Sequence, residues 1–198
     1  QPRHYFDDAE LAALAASLDK SGVLQPLLVR PLETNDDASG SVCYEIIAGE
    51  RRWRAAQIAG LSAVPAIVRE LNNDETAKIA LIENLQREDL NAVEEARGYD
   101  RLKREFGLTQ DEVASSTGKA RSTIANSLRL LNLSPKVLDM LAGGQIEKGH
   151  AKLLASMSPD EAEKTANNII KNKLSVKELS GISSSKKTNQ KNTKKTKD

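Results

Sequence analysis

The feature that most constrains this chain is the regular recurrence of helix starts in its second half. Asn91 with Glu94, Thr109 with Glu112, Ser158 with Glu161 and Ser175 with Glu178 each place a short capping side chain three residues ahead of a glutamate. That is the spacing of the capping box, in which side chain and backbone satisfy each other's free donors. Ser134-Pro135 adds a fifth start, with proline in the first turn. From Asp74 onward no strand pattern appears, so this half is expected to be a set of short helices joined by short turns, ending near Gly181.

The first 70 residues follow another rule. Leu11, Leu14, Ala15 and Leu18 recur at helical spacing over 7–20, and Gly22 closes that helix. Leu27 to Arg30, bounded by Pro26 and Pro31, reads as a short strand, and Val42 to Ala48 as its hairpin partner across a polar turn. A helix from Arg51 to Ile58 ends at Gly60, and Val64 to Val68 reads as a further strand that Pro65 pushes to an edge. The fold class is therefore α+β: a small α/β domain followed by an all-α domain. The expected boundaries are 1–90 and 91–182, with a lysine-rich disordered linker over 183–198 and no internal repeat.

Charge gives little until it is divided by position. Residues 183–198 hold six lysines and one aspartate, a charge of +5, so the rest of the chain carries −4 of the overall +1. Contacts to nucleic acid must then come from local patches. No stretch nears the roughly 18 apolar residues of a membrane span, and no secretory leader is legible, which leads to an expectation of a cytoplasmic protein with no membrane partner. The single Cys43 excludes an internal disulfide and a multi-thiolate zinc site; it is expected to be packed and inert in its strand. A start at Gln1 and a polar end suggest a piece of a longer protein.

Two segments carry candidate chemistry for phosphates. Gly49-Glu50-Arg51-Arg52-Trp53-Arg54 lies where a strand gives way to a helix. Free N–H groups there attract anions, Gly49 permits close approach, and Arg51 and Arg52 offer forked donors; three arginines in four residues also suit a solvated helix face. Glu83 and Asn84 stand side by side off the apolar stripe of Ile79, Ile82 and Leu85. A carboxylate beside an amide suits a divalent cation held with nucleotide phosphates, or equally a polar helix surface. The Gly-rich, Lys-Ser/Thr loop of ordinary ATPases is missing from the sequence.

The helical half contains a pair with a recognisable purpose. Leu108 to Gly118 gives a capped helix ending at glycine, and Lys119 to Leu131 gives a second, with Ile124, Leu128 and Leu131 on one face. This is helix-turn-helix organisation, although plain helical hairpins share it. The second helix would enter a major groove. Arg121 suits guanine and Asn126 adenine, while Lys119, Ser122 and Thr123 suit phosphates; Gln110 and Arg129 complete the candidate surface. Lys148 and His150, in Gln145 to Lys152, extend it, with His150 either packed or facing DNA.

In order along the chain, Gln1-Pro2-Arg3, Phe6-Asp7, Gly22-Val23-Leu24-Gln25-Pro26, Gly49 to Ala55, Glu83 to Arg87 and Gln145 to Lys152 resemble the segments of the ParB family of partitioning proteins. Lys152 departs from the more usual arginine. The resemblance implies an N-terminal domain on a fold like that of sulfiredoxin, binding CTP with magnesium. Gly22, Val23, Leu24, Gln25 and Pro26 would hold the cytidine end, and Gly49, Glu50, Arg51 and Arg52 the triphosphate. Glu83 and Asn84 would serve the metal, with Glu83 orienting water for slow hydrolysis. Arg3 matches a family arginine linked to the response to DNA and nucleotide. Glu50 stands where sulfiredoxin has its catalytic cysteine, which removes the redox-repair reading.

The family further implies loading at a centromere-like palindrome in double-stranded DNA, engagement of two N-terminal domains as a homodimer, and sliding of the closed clamp. It also implies a partner ATPase of the ParA type and association with the nucleoid. Lacking the family's C-terminal dimerisation domain, this chain would be monomeric without ligand. Two rivals remain: a nucleotide-independent DNA-binding regulator or nucleoid-occlusion factor, and a nucleotide-using enzyme such as a small-molecule kinase.

Overall fold

Burial of an apolar stripe on each helix, set against a sheet too small to close on itself, organises the first half of the chain. The computed structural model describes residues 8–32, 42–87 and 90–181, and two compact units divide between Glu83 and Asn84. Arg3, Phe6, the polar turn between the first two strands and the lysine-rich stretch of 183–198 lie outside the described residues.

In the first unit, α1 spans Asp8–Ser21, β1 Leu27–Pro31, β2 Tyr44–Ala48, α2 Glu50–Ile58 and β3 Ala66–Val68. The sheet order is β2-β1-β3, with β2 antiparallel and β3 parallel to β1. Leu11, Ala15 and Leu18 of α1 meet Ala55 and Ala56 of α2, and Val23, Leu61 and Val64 close the edges of this cluster. The two alanines, fully or almost fully buried, let the helices approach closely. Leu27, Val29 and Ile47 are the buried sheet positions. The third strand is shorter than the alternation from Val64 suggests, because Pro65 has no N–H; its carbonyl instead accepts from Leu27 N at 2.9 Å.

α3, Asn73–Leu85, carries the division between the units. The helices α4 (Ala92–Phe106), α5 (Gln110–Thr117), α6 (Arg121–Leu130), α7 (Pro135–Ala142), α8 (Lys148–Leu154) and α9 (Pro159–Asn172) follow, with helical turns over 176–181. The capping boxes at Asn91 and Thr109 are both complete. Ser175 and Glu178 also exchange their bonds. A large core joins Val93, Leu130, Leu133, Val137, Leu141, Ile146, Ala151 and Leu154 to Ala162, Ala166, Ile169 and Leu179.

Several expectations are corrected. Cys43 is exposed and precedes β2, its carbonyl accepting from Leu32 N, so it is not a packed strand residue. Ser158 makes no side-chain cap bond, and proline at the first turn carries that helix start. On α6 the fully buried positions are Ile124, Ser127 and Leu130, with Leu128 and Leu131 half-buried. The helix packs on α4, α5 and α8, so a wider arc than one apolar stripe is covered.

Candidate nucleotide-binding loop and nucleic-acid interface

Gly49 ends β2 and caps α2 with a left-handed backbone, φ 99°, and its side-chain-free cap leaves the first N–H groups of the helix unclaimed by any capping side chain. A Cβ here would lie 2.7 Å from Leu27 Cδ2 and 3.3 Å from the Arg52 guanidinium carbon, so the position admits only glycine without rearrangement. The three arginines are separated by what they touch. Arg51 reaches across to Glu10 of α1 at 2.9 Å, and Arg54 pairs with Glu50 one turn back. That pairing neutralises the carboxylate beside the helix start.

Arg52 alone turns toward the loop between α1 and β1. Its Nη1 donates to the carbonyls of Gln25 and Pro26, 2.6 Å each. The two sequence segments expected at a nucleotide are thereby joined by one side chain. Gly22 adopts φ 68° at the end of α1, Val23 packs against the helix pair, and Leu24 is 86% exposed, the most exposed large apolar side chain among the described residues.

Glu83 and Asn84 lie on the last turns of α3. Glu83 is exposed, and no hydrogen bond or ion pair joins it to the arginine loop among the described residues. Asn84 is half-buried and its Oδ1 accepts from Arg87 Nη1 at 3.4 Å. One carboxylate and one amide oxygen fit magnesium, which takes few protein ligands and fills its shell with phosphate and water. No cluster of three acidic, histidine or cysteine side chains suited to a metal occurs among the described residues.

The α5–α6 pair turns through Gly118 at φ 67°. Lys119, Arg121, Ser122 and Arg129 are exposed, Gln110, Thr123 and Asn126 half-buried. Arg121 Nε lies 3.3 Å from Asp111 of α5, both side chains 67% exposed. Lys148, the first residue of α8, pairs with Glu95 of α4 at 2.6 Å. The other Glu95 oxygen accepts from the fully buried Tyr99 hydroxyl at 2.7 Å. Burial by itself pushes the Glu95 carboxyl up, but hydrogen bonds from Lys148 and Tyr99 and the charges of Lys148 and Lys119 outweigh it and hold it below the usual carboxylate range. For Tyr99, burial and then the Glu95 carboxylate raise the phenol.

His150 stands apart from the exposed set. Its ring is buried, Nδ1 accepts from Glu147 N at 3.2 Å, and Nε2 has no partner. Of the two roles expected for it, packing describes its place here. Sequence reasoning missed Glu95 and the reciprocal Asn72–Glu75 cap that starts α3. The second has the same three-residue spacing as the others; the first has no local signal, since its partner is 53 residues away.

Residues 1–85 match the ParB N-terminal domain, and residues 88–188 match the ParB HTH domain. The chain belongs to the ParB family. Among ParB relatives, the chromosome-partitioning protein Spo0J of Thermus thermophilus is 50% identical over 92% of this chain and 64% of its own length. The chain spans about three fifths of the length of such curated relatives. The C-terminally truncated ParB of Caulobacter crescentus, complexed to the centromeric parS site, superposes with a TM-score of 0.79 at 43% identity, covering 92% of this chain and 90% of that one. A ParB from the same organism complexed with CTP-gamma-S is 45% identical over 86% of this chain and 91% of its own, with a TM-score of 0.38, a likeness in sequence only.

Proposed function

We propose that this chain is the nucleotide-binding and DNA-reading part of a partitioning protein, which holds a centromere-like palindrome through α5 and α6 and gates that hold with CTP. The observation that carries the reading is Arg52, seated on the Gln25 and Pro26 carbonyls in a chain that also bears a helix-turn-helix. Residues 1–90 form the nucleotide domain, 91–182 the DNA domain, and 183–198 the linker.

In this reading the first turn of α2 and Arg51 and Arg52 neutralise the triphosphate, with Gly49 and Glu50 shaping its approach. The loop Gly22 to Pro26 holds the cytidine end. Glu83 and Asn84 hold magnesium, which when bound offsets phosphate charge. Glu83 orients the water for slow hydrolysis, making the protein a CTPase that acts as a switch. On the DNA side, Arg121 and Asn126 read bases, and Gln110, Lys119, Ser122, Thr123 and Arg129 position the backbone. Nucleotide binding lets two N-terminal domains engage, so the dimer closes around DNA and slides. The whole protein works in the cytoplasm on the nucleoid, with a ParA-type ATPase as partner.

The test is calorimetry with CTP, ATP, GTP and UTP in magnesium, on this chain and its Arg52→Ala variant, with and without duplex carrying the parS palindrome. Selective CTP binding that disappears in the variant supports the reading. Duplex binding with no response to any nucleotide would replace it with a plain DNA-binding regulator.

A further inference from the structure

We propose that Glu95 acts as an internal substitute for a DNA phosphate, occupying Lys148 and so weakening the protein's hold on duplex backbone of any sequence. This rests on the reading of α5 and α6 as the DNA-binding pair and of Lys148 as an extension of that surface.

Lys148 opens α8 and is expected to extend the DNA surface, yet its Nζ is 2.6 Å from the Glu95 carboxylate. The carboxylate is fixed from behind: Tyr99, fully buried one turn along α4, donates to its second oxygen. The Glu95 side chain is only 17% exposed, so the pair is shielded on the carboxylate side, while the Lys148 side chain is 47% exposed.

A phosphate competing for Lys148 would have to leave this half-buried charge with a single neutral donor. Stripping one partner from a shielded ion pair costs more than breaking an exposed one. The Arg121–Asp111 pair supplies the contrast, because at 3.3 Å and 67% exposure on both sides water already competes for it. DNA thus recruits Arg121 readily while Lys148 stays with Glu95. Backbone contacts carry no sequence information, so the effect is uniform across sequences.

The experiment measures binding to a parS duplex and to an unrelated duplex as a function of salt, where each lysine released to a phosphate steepens the logarithmic slope by about 0.9. On this chain Lys148→Ala leaves the slope nearly unchanged. Glu95→Gln, which keeps an acceptor for Tyr99, steepens it by about 0.9 and tightens both duplexes about fivefold at low salt. The double variant returns to the original slope. The inference is overturned if Lys148→Ala alone flattens the slope by about 0.9, or if folded Glu95→Gln binds more weakly or unchanged. If Glu95→Gln fails to fold, the Lys148→Ala result still decides. Arg121→Ala separates the two levels: if it too leaves parS binding intact, the DNA-facing reading has failed, whereas weakening by Arg121→Ala with no response to Glu95→Gln refutes only the role of Glu95.

Discussion

Replacing Gly49 by alanine puts a number on how tightly the arginine loop is built. The backbone there sits at φ 99°, beyond the region a side chain tolerates, which costs about 1–2 kcal/mol. The added Cβ would lie 2.7 Å from Leu27 Cδ2, and Leu27 is 2% exposed, so its side chain can yield only by repacking within the core. Overpacking of that kind costs about 1–3 kcal/mol, which brings the expected total to about 2–5 kcal/mol. Gly60→Ala is the matched control. Its φ is also positive, at 69°, but nothing lies within 4 Å of its Cβ, so only the backbone cost of about 1 kcal/mol applies. Trp53, the single tryptophan, sits on α2 and reports unfolding of this unit by fluorescence in urea. The reasoning is refuted if Gly49→Ala unfolds within about 0.5 kcal/mol of Gly60→Ala.

Asn91→Ala removes a complete capping box from α4 and should destabilise the helical unit by about 1 kcal/mol, read as a lower urea midpoint by circular dichroism. Because Glu95 is held below its ordinary value of 4.5, it stabilises the fold above that pH, and the contribution is lost as pH falls through the folded value; Glu95→Gln should flatten this acid limb of the stability profile. Gly98→Ala would put a Cβ 2.4 Å from Leu85 Cδ2 and should cost about 1–3 kcal/mol, a loss that shrinks when Leu85 is also shortened to alanine in a double-mutant cycle.

Most of the helices could be read before the fold because their signals are local. Thr109 and Glu112 sit within one turn of each other, and Gly107 and Gly118 each mark a helix end by a single residue. The arginine loop was legible for the same reason, since a glycine between a strand and a helix is a short-range pattern. What Arg52 grips was not, because its acceptors are backbone carbonyls 26 and 27 residues earlier, and carbonyls have no sequence signature. Exposure of Cys43 likewise escaped, because an apolar residue beside a strand reads as part of it. The burial of Ser127 depended on three neighbouring helices, and the Lys148–Glu95 pair on tertiary packing across most of the helical unit.

The two bonds that Arg52 makes to carbonyls have a consequence for entropy. An arginine waving in solvent gives up about 1.5–2 kcal/mol of rotamer freedom when an anion arrests it. Here the guanidinium is arrested during folding, by oxygens that belong to the main chain and survive any change of side chain. Substituting Gln25 should therefore leave the arginine where it is, whereas lengthening or shortening the loop that carries those carbonyls would set it loose, and the anion would then meet a side chain that it must first bring to rest.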